Sequence, residues 1–266
     1  QFLTVTVGPV NDAPTVTFTN PDYVENGAPQ PLVGNLQIGD IDSTQLSSAK
    51  ITLTGIQAED LIVSQYYKDA NSGDAAFGIK YTLSNDANGN IVIDLTGNAS
   101  VADYTTVINS ITYANSSDNP STTPRGVTIE VTDVDANGTN NLSGSATGVI
   151  NVTPVNDAPT VSAARGQGNE DTAIAVKLTG ADVDGKIDHF NLVTMAEHGT
   201  FYADAAGTQP LTNLTNITAT NNGATIYFKP DANWAGDTSF TYTAVDNQNL
   251  PAGAPANGII NVTPVA

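Results

Sequence analysis

Apolar and polar residues alternate with a period of two in many short runs along the chain. In GVTIEVTD, for example, Val127, Ile129 and Val131 alternate with Thr and Glu, and TIYFKP, SFTYTAVD and the two INVT segments follow the same rule. Because successive side chains of a β-strand point to opposite faces of the sheet, this period predicts strands with one buried face. The runs are rich in Val, Ile, Thr, Tyr and Phe and end at Gly, Asn, Asp or Pro, which is typical of strands and turns.

Helices and hairpin turns are predicted at only a few places. Residues 100–111, SVADYTTVINSI, put their apolar residues on one helical face, and we expect one short helix that crosses between the sheets. The segments NDANGN at 85–90 and TNNGA at 220–224 predict hairpin turns, because Asn and Gly tolerate a positive φ.

The chain contains a long-period repeat. The segment PVNDAPTV occurs at 9–16 and again at 154–161, and INVTPV occurs at 150–155 and again at 260–265. Two units of unequal length therefore lie between three copies of one motif. Spacings this long are typical of tandem domains rather than of solenoid repeats.

We predict an all-β fold of two tandem antiparallel β-sandwiches joined end to end. Residues 1–10 are expected to be the last strand of a preceding repeat or the start of the first domain, residues 11–155 a long sandwich, and residues 156–266 a shorter one. The extra length of the first sandwich lies in an insertion at 57–78. Loops on rigid scaffolds often carry binding, so a separate function of the first unit is expected there.

The chain is strongly acidic. Eight Lys and Arg against 27 Asp and Glu among 266 residues give a formal net charge of −19, which argues against binding nucleic acid or an anionic membrane and favours cations. Cys is absent, which excludes disulfides and thiolate metal sites. No apolar run approaches the length that crosses a bilayer, so membrane insertion is not expected. No signal peptide is recognisable and the chain begins at Gln1, so we expect a piece of a longer protein.

Short acidic motifs recur in the same order in both predicted units. Each unit begins with an Asn-Asp pair, continues with a Glu-containing turn and an Asp-x-Asp motif, and has a further acidic turn before its last strand. In the first unit these residues are Asn11 and Asp12, Glu25, Asp40 and Asp42, and Asp133 and Asp135; in the second they are Asn156 and Asp157, Glu170 and Asp171, Asp182 and Asp184, and Asp246.

This recurrence predicts calcium sites. Ca²⁺ takes about six to eight oxygen ligands, which carboxylates, Asn side chains and backbone carbonyls supply. Two Asp residues at i and i+2 in a loop can direct their carboxylates to one ion, whereas two bare carboxylates so close repel and raise each other's pKa. Asp, Asn and Gly are also ordinary turn residues, which is the simpler interpretation of any single motif. The whole set, repeated in the same order, favours calcium.

One segment partly fits a different calcium motif. DVDANG at 133–138 matches the opening of an EF-hand loop, but the twelfth position is Gly144 rather than Glu. The flanking residues also alternate like strands, so an EF-hand is not expected.

Three longer segments, NEDTAIAVKLTGADVDG, PDANWAGDTSFTYTAVDNQ and INVTPVNDAPTV, resemble the cadherin-like tandem repeats of giant bacterial surface adhesins, including the RTX-type adhesins of biofilm-forming bacteria. The resemblance covers essentially the whole chain, and in the first unit SVADYTTVINSITYANSSDNP is similar to a longer variant of the repeat. It implies calcium-binding cadherin- or Ig-like sandwiches on the bacterial cell surface, outside the cell. In that family Ca²⁺ stiffens the joints, so that a ligand-binding tip is held away from the cell.

The cadherin pattern also implies how the acidic residues are shared among joints. Glu25 is implied to reach the joint after the first unit. Asp103 stands where cadherins have an Asp-Arg-Glu triplet and is implied to lie with Glu25, so that this joint is expected to hold fewer ions. Their implied partners are Asn156, Asp157, Asp182, Asp184 and Asp246; the joint to a preceding domain is implied to use Asn11, Asp12, Asp40, Asp42, Asp133 and Asp135, and Glu170 and Asp171 face a following domain.

No motif of a familiar enzyme class is found, neither a nucleophile elbow nor a zinc helix nor a phosphate loop. Glu59 and Asp60 are adjacent acids, but adjacent turn carboxylates are usually solvated, so a glycosidase is not expected. We expect a non-enzymatic monomer whose partners are neighbouring repeats of the same chain. A surface ligand would be bound through other domains of the parent protein.

A second interpretation remains open, in which the first unit is a ligand-binding adhesion module for a peptide or a saccharide. An aromatic-lined concavity in the insertion at 57–78 would favour it, with Tyr66 and Tyr67 as the best candidates for ligand contact. Packing of the insertion as extra strands would favour a structural extender.

Overall fold

The computed structural model describes residues 10–67, 71–135, 140–212 and 216–265. The chain divides into two compact units between Val155 and Asn156, inside the second copy of the PVNDAPTV motif. We call them unit 1 and unit 2. Apart from Val10, the predicted segment 1–10 lies outside the described residues.

Unit 1 consists of strands and one helix. Its elements are β1 (Thr15–Thr19), β2 (Tyr23–Val24), β3 (Gln30–Pro31), β4 (Gly34–Gly39), β5 (Gln45–Thr54), β6 (Asp60–Ser64), β7 (Ser72–Ala76), β8 (Ile79–Asn85), β9 (Ile91–Ser100), α1 (Val101–Asn109), β10 (Ile111–Asn115), β11 (Arg125–Asp133), β12 (Ser143–Ile150) and β13 (Val152–Thr153).

The largest sheet of unit 1 has six antiparallel strands in the order β12-β11-β5-β9-β8-β7. A three-stranded sheet, β3-β10-β6, and the pair β1-β4 share one buried apolar cluster with it. In β11 the residues Val127, Ile129 and Val131 are buried and those between them are not, as the alternation predicts. β2 pairs in parallel with β13, the last strand of unit 1. Glu25, which directly follows β2, therefore lies beside the C-terminal end of the unit.

The predicted short helix is confirmed as α1, which begins directly after β9 and leads into β10. It therefore connects the six-stranded sheet to the three-stranded one. Ser100 caps it, because the Ser100 hydroxyl accepts the backbone N–H of Asp103 at 3.1 Å. Tyr104, Val107 and Ile108 form its buried face.

The insertion at 57–78 contributes strands to two sheets. β6 pairs with β10, and β7 pairs with β8 at the edge of the large sheet. Tyr66 and Tyr67 pack against the core of unit 1, and the ring centroids of Tyr67 and Tyr81 are 4.6 Å apart. Residues 68–70 lie outside the described part of the insertion. Packing as extra strands favours the extender interpretation.

Unit 2 is an antiparallel sandwich with one parallel strand pair. Its elements are β14 (Thr160–Val161), β15 (Ala164–Asn169), β16 (Ile174–Ala181), β17 (Ile187–Thr194), β18 (Gly199–Tyr202), β19 (Ile217–Thr218), β20 (Gly223–Pro230), β21 (Gly236–Asp246) and β22 (Ala256–Thr263). Its sheets have the orders β14-β16-β20-β18 and β15-β22-β21-β17-β19, with β15 parallel to β22.

The core of unit 2 is rich in aromatic residues. Phe201 lies between Phe228 and Phe240, with ring centroids 5.3 and 4.9 Å apart in edge-to-face arrangements. Such pairs contribute about 0.5–1.5 kcal/mol beyond the area that they bury. The described chain is thus nearly all β, and among the described residues no helix is long and apolar enough to cross a membrane.

Both predicted hairpin turns are confirmed as tight turns, but only the first joins neighbouring strands of one sheet. NDANGN links the antiparallel neighbours β8 and β9, with Gly89 at a φ of 81°. In TNNGA, Asn221 and Asn222 have φ of 52° and 57°, and the backbones of Thr220 and Gly223 exchange hydrogen bonds of 2.7 and 3.2 Å across the turn. The strands on either side of this turn, β19 and β20, belong to different sheets. Local turn chemistry specifies the positive φ and does not specify the sheet of the next strand.

Gly144 shows why the EF-hand pattern stops where it does. It lies in β12, and a Cβ built on it would be 1.7 Å from the carbonyl oxygen of Pro14. Any side chain at this position would displace the backbone at Pro14, directly before β1. The position is therefore set by strand packing in unit 1, as the sequence predicted.

Candidate metal centres

Five acidic and amide residues of unit 2 lie together at one end of the unit, where two strands end. β16 ends at Ala181 directly before the Asp-x-Asp motif, and β21 ends at Asp246. We call Asn156, Asp157, Asp182, Asp184 and Asp246 acidic set 2.

Hydrogen bonds connect the members of acidic set 2. The side-chain amide of Asn156 donates to Oδ2 of Asp246, and the backbone N–H of Leu250 donates to its Oδ1 at 2.7 Å. The backbone N–H of Asp157 lies 3.3 Å from Oδ2 of Asp184. The Asn-Asp pair is therefore tied to both other motifs within unit 2.

Some carboxylate oxygens of acidic set 2 are buried without a hydrogen-bond partner. These are both side-chain oxygens of Asp182 and Oδ1 of Asp184. Leaving a buried polar group unsatisfied costs about 1–3 kcal/mol, and more when it is charged. Oxygens of this kind suit a hard cation, which would bind them directly.

The pKa shifts have the pattern of crowded carboxylates. Burial, followed by the neighbouring Asp184 and the charge of Asp246, raises the pKa of Asp182. Burial alone would also raise the pKa of Asp246, but the hydrogen bonds from Asn156 and from three backbone N–H groups outweigh it and lower that pKa. The hydrogen bonds thus stabilise the ionised form of Asp246, whereas burial and the neighbouring carboxylates destabilise the ionised form of Asp182.

Unit 1 contains the corresponding arrangement, acidic set 1. Its members are Asn11, Asp12, Asp40, Asp42, Asp133 and Asp135. The Asn11 amide donates to Oδ2 of Asp133 at 2.7 Å, and the backbone N–H of Leu142 donates to its Oδ1 at 2.8 Å. The backbone N–H of Asp12 lies 3.3 Å from Oδ1 of Asp42. Each of these contacts has its counterpart in acidic set 2.

Acidic set 1 also has an oxygen suited to a cation. Oδ2 of Asp40 is buried without a hydrogen-bond partner, and Asp12 and Asp40 line a cleft of about 420 Å³. Burial, followed by the neighbouring Asp40, raises the pKa of Asp42 against the backbone N–H of Asp12, which lowers it. Asp135 is buried and accepts the backbone N–H of Asn140 at 3.2 Å. Residues 136–139 lie outside the described residues.

Glu25 and Glu170 occupy equivalent positions at the other end of their units. Oε2 of Glu25 accepts the backbone N–H of Val155 at 2.7 Å, and Oε1 of Glu170 accepts that of Val265 at 2.8 Å. Oε1 of Glu25 is buried without a hydrogen-bond partner, so this carboxylate has capacity for a cation. Both Glu residues therefore lie beside the last described residues of their own units, at the end that the resemblance implied.

Asp118 is a candidate that the sequence did not single out. Its carboxylate and that of Glu25 offer oxygens within 4.8 Å of each other. Asp118 lies in the loop after β10, in SSDNP, whose composition is that of an ordinary turn. Asp118 comes close to Glu25 because the end of β10 lies beside β2, where the Tyr23 hydroxyl donates to the carbonyl of Asn115 at 3.0 Å. The sequence does not specify this contact.

The implied position of Asp103 beside Glu25 is wrong. Asp103 lies in the first turn of α1, and its carboxylate accepts the Ser100 hydroxyl at 2.6 Å. Ser100 pairs with Gln45 at the end of the large sheet where Asp133 lies. Glu25 belongs to the opposite end, beside Thr153. Asp103 therefore supports the Ser100 cap of α1 and lies at the end of unit 1 opposite Glu25.

A second expectation is also wrong. Asp60 was expected to be a solvated carboxylate in a turn, and its side chain is buried. Asp60 and Arg125 form an ion pair at 2.9 Å with both side chains fully inaccessible. Tyr113 and Asn115 donate to Oδ1 of Asp60 at 2.5 and 2.7 Å. Burial would raise the pKa of Asp60, but the hydrogen bonds from Arg125, the backbone N–H of Gln57, and the side chains of Tyr113 and Asn115 lower it.

Comparison with known proteins gives one family match. A family model described as a bacterial Ig domain matches residues 156–263. Unit 2 is therefore similar to a bacterial Ig domain. The match and the sandwich topology together support an Ig-like repeat. No curated protein matches the chain significantly.

Several solved structures are similar to the chain at low identity. Mouse cadherin-23 EC22-24 is 15% identical, with 96% of this chain and 67% of that one covered and a TM-score of 0.49. Protocadherin gamma B7 extracellular cadherin domains 1-4 are 16% identical, with 96% and 52% covered and a TM-score of 0.44. The C-terminal domain of the Streptococcus agalactiae AgI/II polypeptide BspA is 14% identical, with 81% and 84% covered and a TM-score of 0.24. The chain thus spans about half the length of the protocadherin fragment.

Proposed function

We propose that the chain is a calcium-binding extender region of a large bacterial surface adhesin, outside the cell. In this proposal bound Ca²⁺ stiffens the tandem array of repeats for cell adhesion and biofilm formation, and the chain itself catalyses nothing. The observation that carries the proposal is the same acidic set at the start of both units, with buried carboxylate oxygens that lack a hydrogen-bond partner.

The chemistry of the residues fits calcium. Acidic set 2 would hold the ion through Asp182, Asp184, Asp246, Asn156 and Asp157, and acidic set 1 through its six corresponding residues. All of these ligands are oxygens, which suits Ca²⁺ and not a metal that prefers sulfur or imidazole. Calcium would supply the positive charge that the crowded carboxylates lack.

The remaining observations support an extender rather than an adhesion tip. The insertion at 57–78 supplies strands β6 and β7, and its two Tyr residues pack inward. The match of unit 2 to a bacterial Ig domain supports a repeat in a bacterial protein. The resemblance to surface adhesins supports a place outside the cell.

A calcium titration of the whole chain tests the proposal. Extracellular calcium modules bind with dissociation constants of about 10⁻⁴–10⁻³ M, so a tenfold excess over Kd stabilises the folded chain by roughly 1.4 kcal/mol per site. We expect EDTA to lower the melting temperature and to broaden the shape distribution from X-ray scattering. An unchanged melt together with an unchanged radius of gyration would contradict calcium binding.

A matched pair of variants separates ligand loss from charge loss. Asp182→Asn removes one carboxylate from acidic set 2, whereas Asp237→Asn removes one at the opposite end of β21, where Asp237 is exposed and accepts the Asn261 amide. Both variants lower the net negative charge equally. We expect only Asp182→Asn to weaken calcium binding by isothermal titration calorimetry. Equal weakening in both would mean that only general charge attracts the ion.

A further inference from the structure

Unit 2 has an open cleft in its sandwich, and no member of acidic set 2 is among the residues that line it. Its volume is about 840 Å³, and a neighbouring cleft of about 500 Å³ shares its wall at Thr218, Thr220, Asn221 and Asn222. Small-molecule sites commonly have volumes of roughly 300–1,000 Å³. We call the larger one the amide cleft, after the side chains of Gln209, Asn216, Asn221 and Asn222 that line it.

The lining of the amide cleft is polar but almost uncharged. Thr and Asn side chains dominate it, and Leu211 and Ile217, 6% and 8% exposed, supply an apolar floor. Lys177 is the one charged side chain among the described lining residues, none of which is Asp or Glu. The chain has 27 acidic residues, so a surface region without any of them differs from the rest of the chain. The cleft therefore does not share the preference of the acidic sets for cations.

The wall of the amide cleft is fixed to both sheets. Asn221 and Asn222 both have left-handed backbone. Oδ1 of Asn222 accepts the backbone N–H of Ile187 in β17 at 2.9 Å, and its carbonyl accepts the N–H of Gly180 in β16 at 3.1 Å. The Asn222 side chain is thus committed to the fold, while that of Asn221 is exposed and makes no hydrogen bond within the described chain. A rigid wall lowers the entropy cost of binding.

We propose that the amide cleft binds a short neutral saccharide. Sugar hydroxyls donate and accept hydrogen bonds, and primary amides such as those of Gln209, Asn216 and Asn221 do the same. The C–H faces of a sugar ring would rest on the apolar floor at Leu211 and Ile217. The absence of carboxylates and the single cation of the described lining select against metal ions and against strongly anionic ligands. Unit 2 then binds a ligand in addition to acting as a spacer.

Nuclear magnetic resonance with the full ¹⁵N-labelled chain tests this proposal. The probes are maltotriose, cellotriose and triacetylchitotriose, each added to about 10 mM because such shallow sites bind weakly. We expect at least one trisaccharide to shift the side-chain amide signals of Asn216 and Asn221 in a saturable way. Addition of EDTA should leave these shifts unchanged, which separates this result from the fate of the calcium proposal.

Two glycine variants localise the binding. Asn221→Gly removes one amide and keeps the left-handed backbone, because Gly adopts a positive φ without strain. We expect it to raise Kd by roughly threefold to tenfold, the effect of one lost hydrogen bond. Asn233→Gly is the matched control, since Asn233 is exposed, has a φ of 59° and is not among the residues lining the cleft. It should leave Kd unchanged.

Three results would overturn the proposal. The first is that no trisaccharide gives a saturable shift, and the second is that both glycine variants weaken binding equally. The third involves a hyaluronan tetrasaccharide, which carries carboxylates. If only this probe binds, and Lys177→Gln abolishes its binding, the cleft is an anion site and not a site for neutral sugars.

Discussion

Units 1 and 2 have the same acidic motifs at their ends but stabilise their interiors differently. Unit 1 buries an ion pair, Asp60–Arg125, with both side chains fully inaccessible, and adds a helix and an insertion. Unit 2 has an aromatic cluster around Phe201. Apolar packing can be achieved by many combinations of side chains, whereas the proposed calcium sites would need particular oxygens at particular positions. The chemistry of the ends therefore recurs while the interiors differ.

Breaking the Asp60–Arg125 ion pair is expected to cause the largest difference in stability between the two units. Arg125→Ala leaves Asp60 buried without its cation, and removal of one partner of a buried pair costs about 3–5 kcal/mol. We expect unit 1 to unfold at much lower denaturant while unit 2 is unaffected. Fluorescence of the single Trp, Trp234, follows unit 2, and far-ultraviolet circular dichroism follows both units. One shared transition moving for both signals would show that the units do not unfold independently.

Acid is expected to weaken the same ion pair. The pKa of Asp60 is lowered in the folded state, so its stabilisation is present above the unfolded value of about 3.9 and is lost as the pH falls through the lower folded value. We expect the wild type to lose its advantage over Asp60→Asn below about pH 4. Denaturant melts of both proteins from pH 7 to pH 2 measure this. A constant difference across that range would mean that the Asp60 charge does not stabilise unit 1.

The effect of Asp182→Asn on the melting temperature is expected to be opposite with and without calcium. This tests the comparison at the acidic end of unit 2. A raised folded-state pKa means that the contribution of Asp182 is fully present below about 3.9 and is lost as the pH rises through the folded value. In calcium-free buffer at pH 7 the variant should therefore melt higher than the wild type. In excess calcium it should melt lower, because a ligand is gone. Stabilisation of the variant in both buffers would remove Asp182 from the ligand set.

The smallest expected effect concerns α1, which only unit 1 has. Ser100→Ala removes the N-cap that accepts the Asp103 N–H, and such a loss costs about 1 kcal/mol. The midpoint of unit 1 should shift slightly, and the Trp234 signal of unit 2 should not shift. Ser84→Ala, at an exposed position of β8, serves as the control for loss of a hydroxyl from unit 1, because the Ser84 hydroxyl makes no hydrogen bond within the described chain.

The strands, the single helix and the two acidic sets could be predicted because their signals are local or repeated. Alternation in GVTIEVTD specified the buried face of β11, and the recurring order of Asn-Asp and Asp-x-Asp indicated the acidic sets. Which carboxylates lie together was implied by the resemblance to cadherin-like repeats. The rest depends on contacts between distant residues. Asp60 meets Arg125 across 65 positions, and Asp118 meets Glu25 only after β10 has returned. Strand register and sheet order decide such contacts, and neither can be deduced from composition or spacing.

In each unit a Glu side chain holds the last backbone segment, Glu25 in unit 1 and Glu170 in unit 2. Each unit begins with an Asn-Asp pair bound to its own late Asp and ends on a backbone N–H held by its own Glu. All of these contacts are internal to one unit. A unit that is added or removed as a whole therefore carries its own anchors with it, and the anchors of the neighbouring unit stay intact.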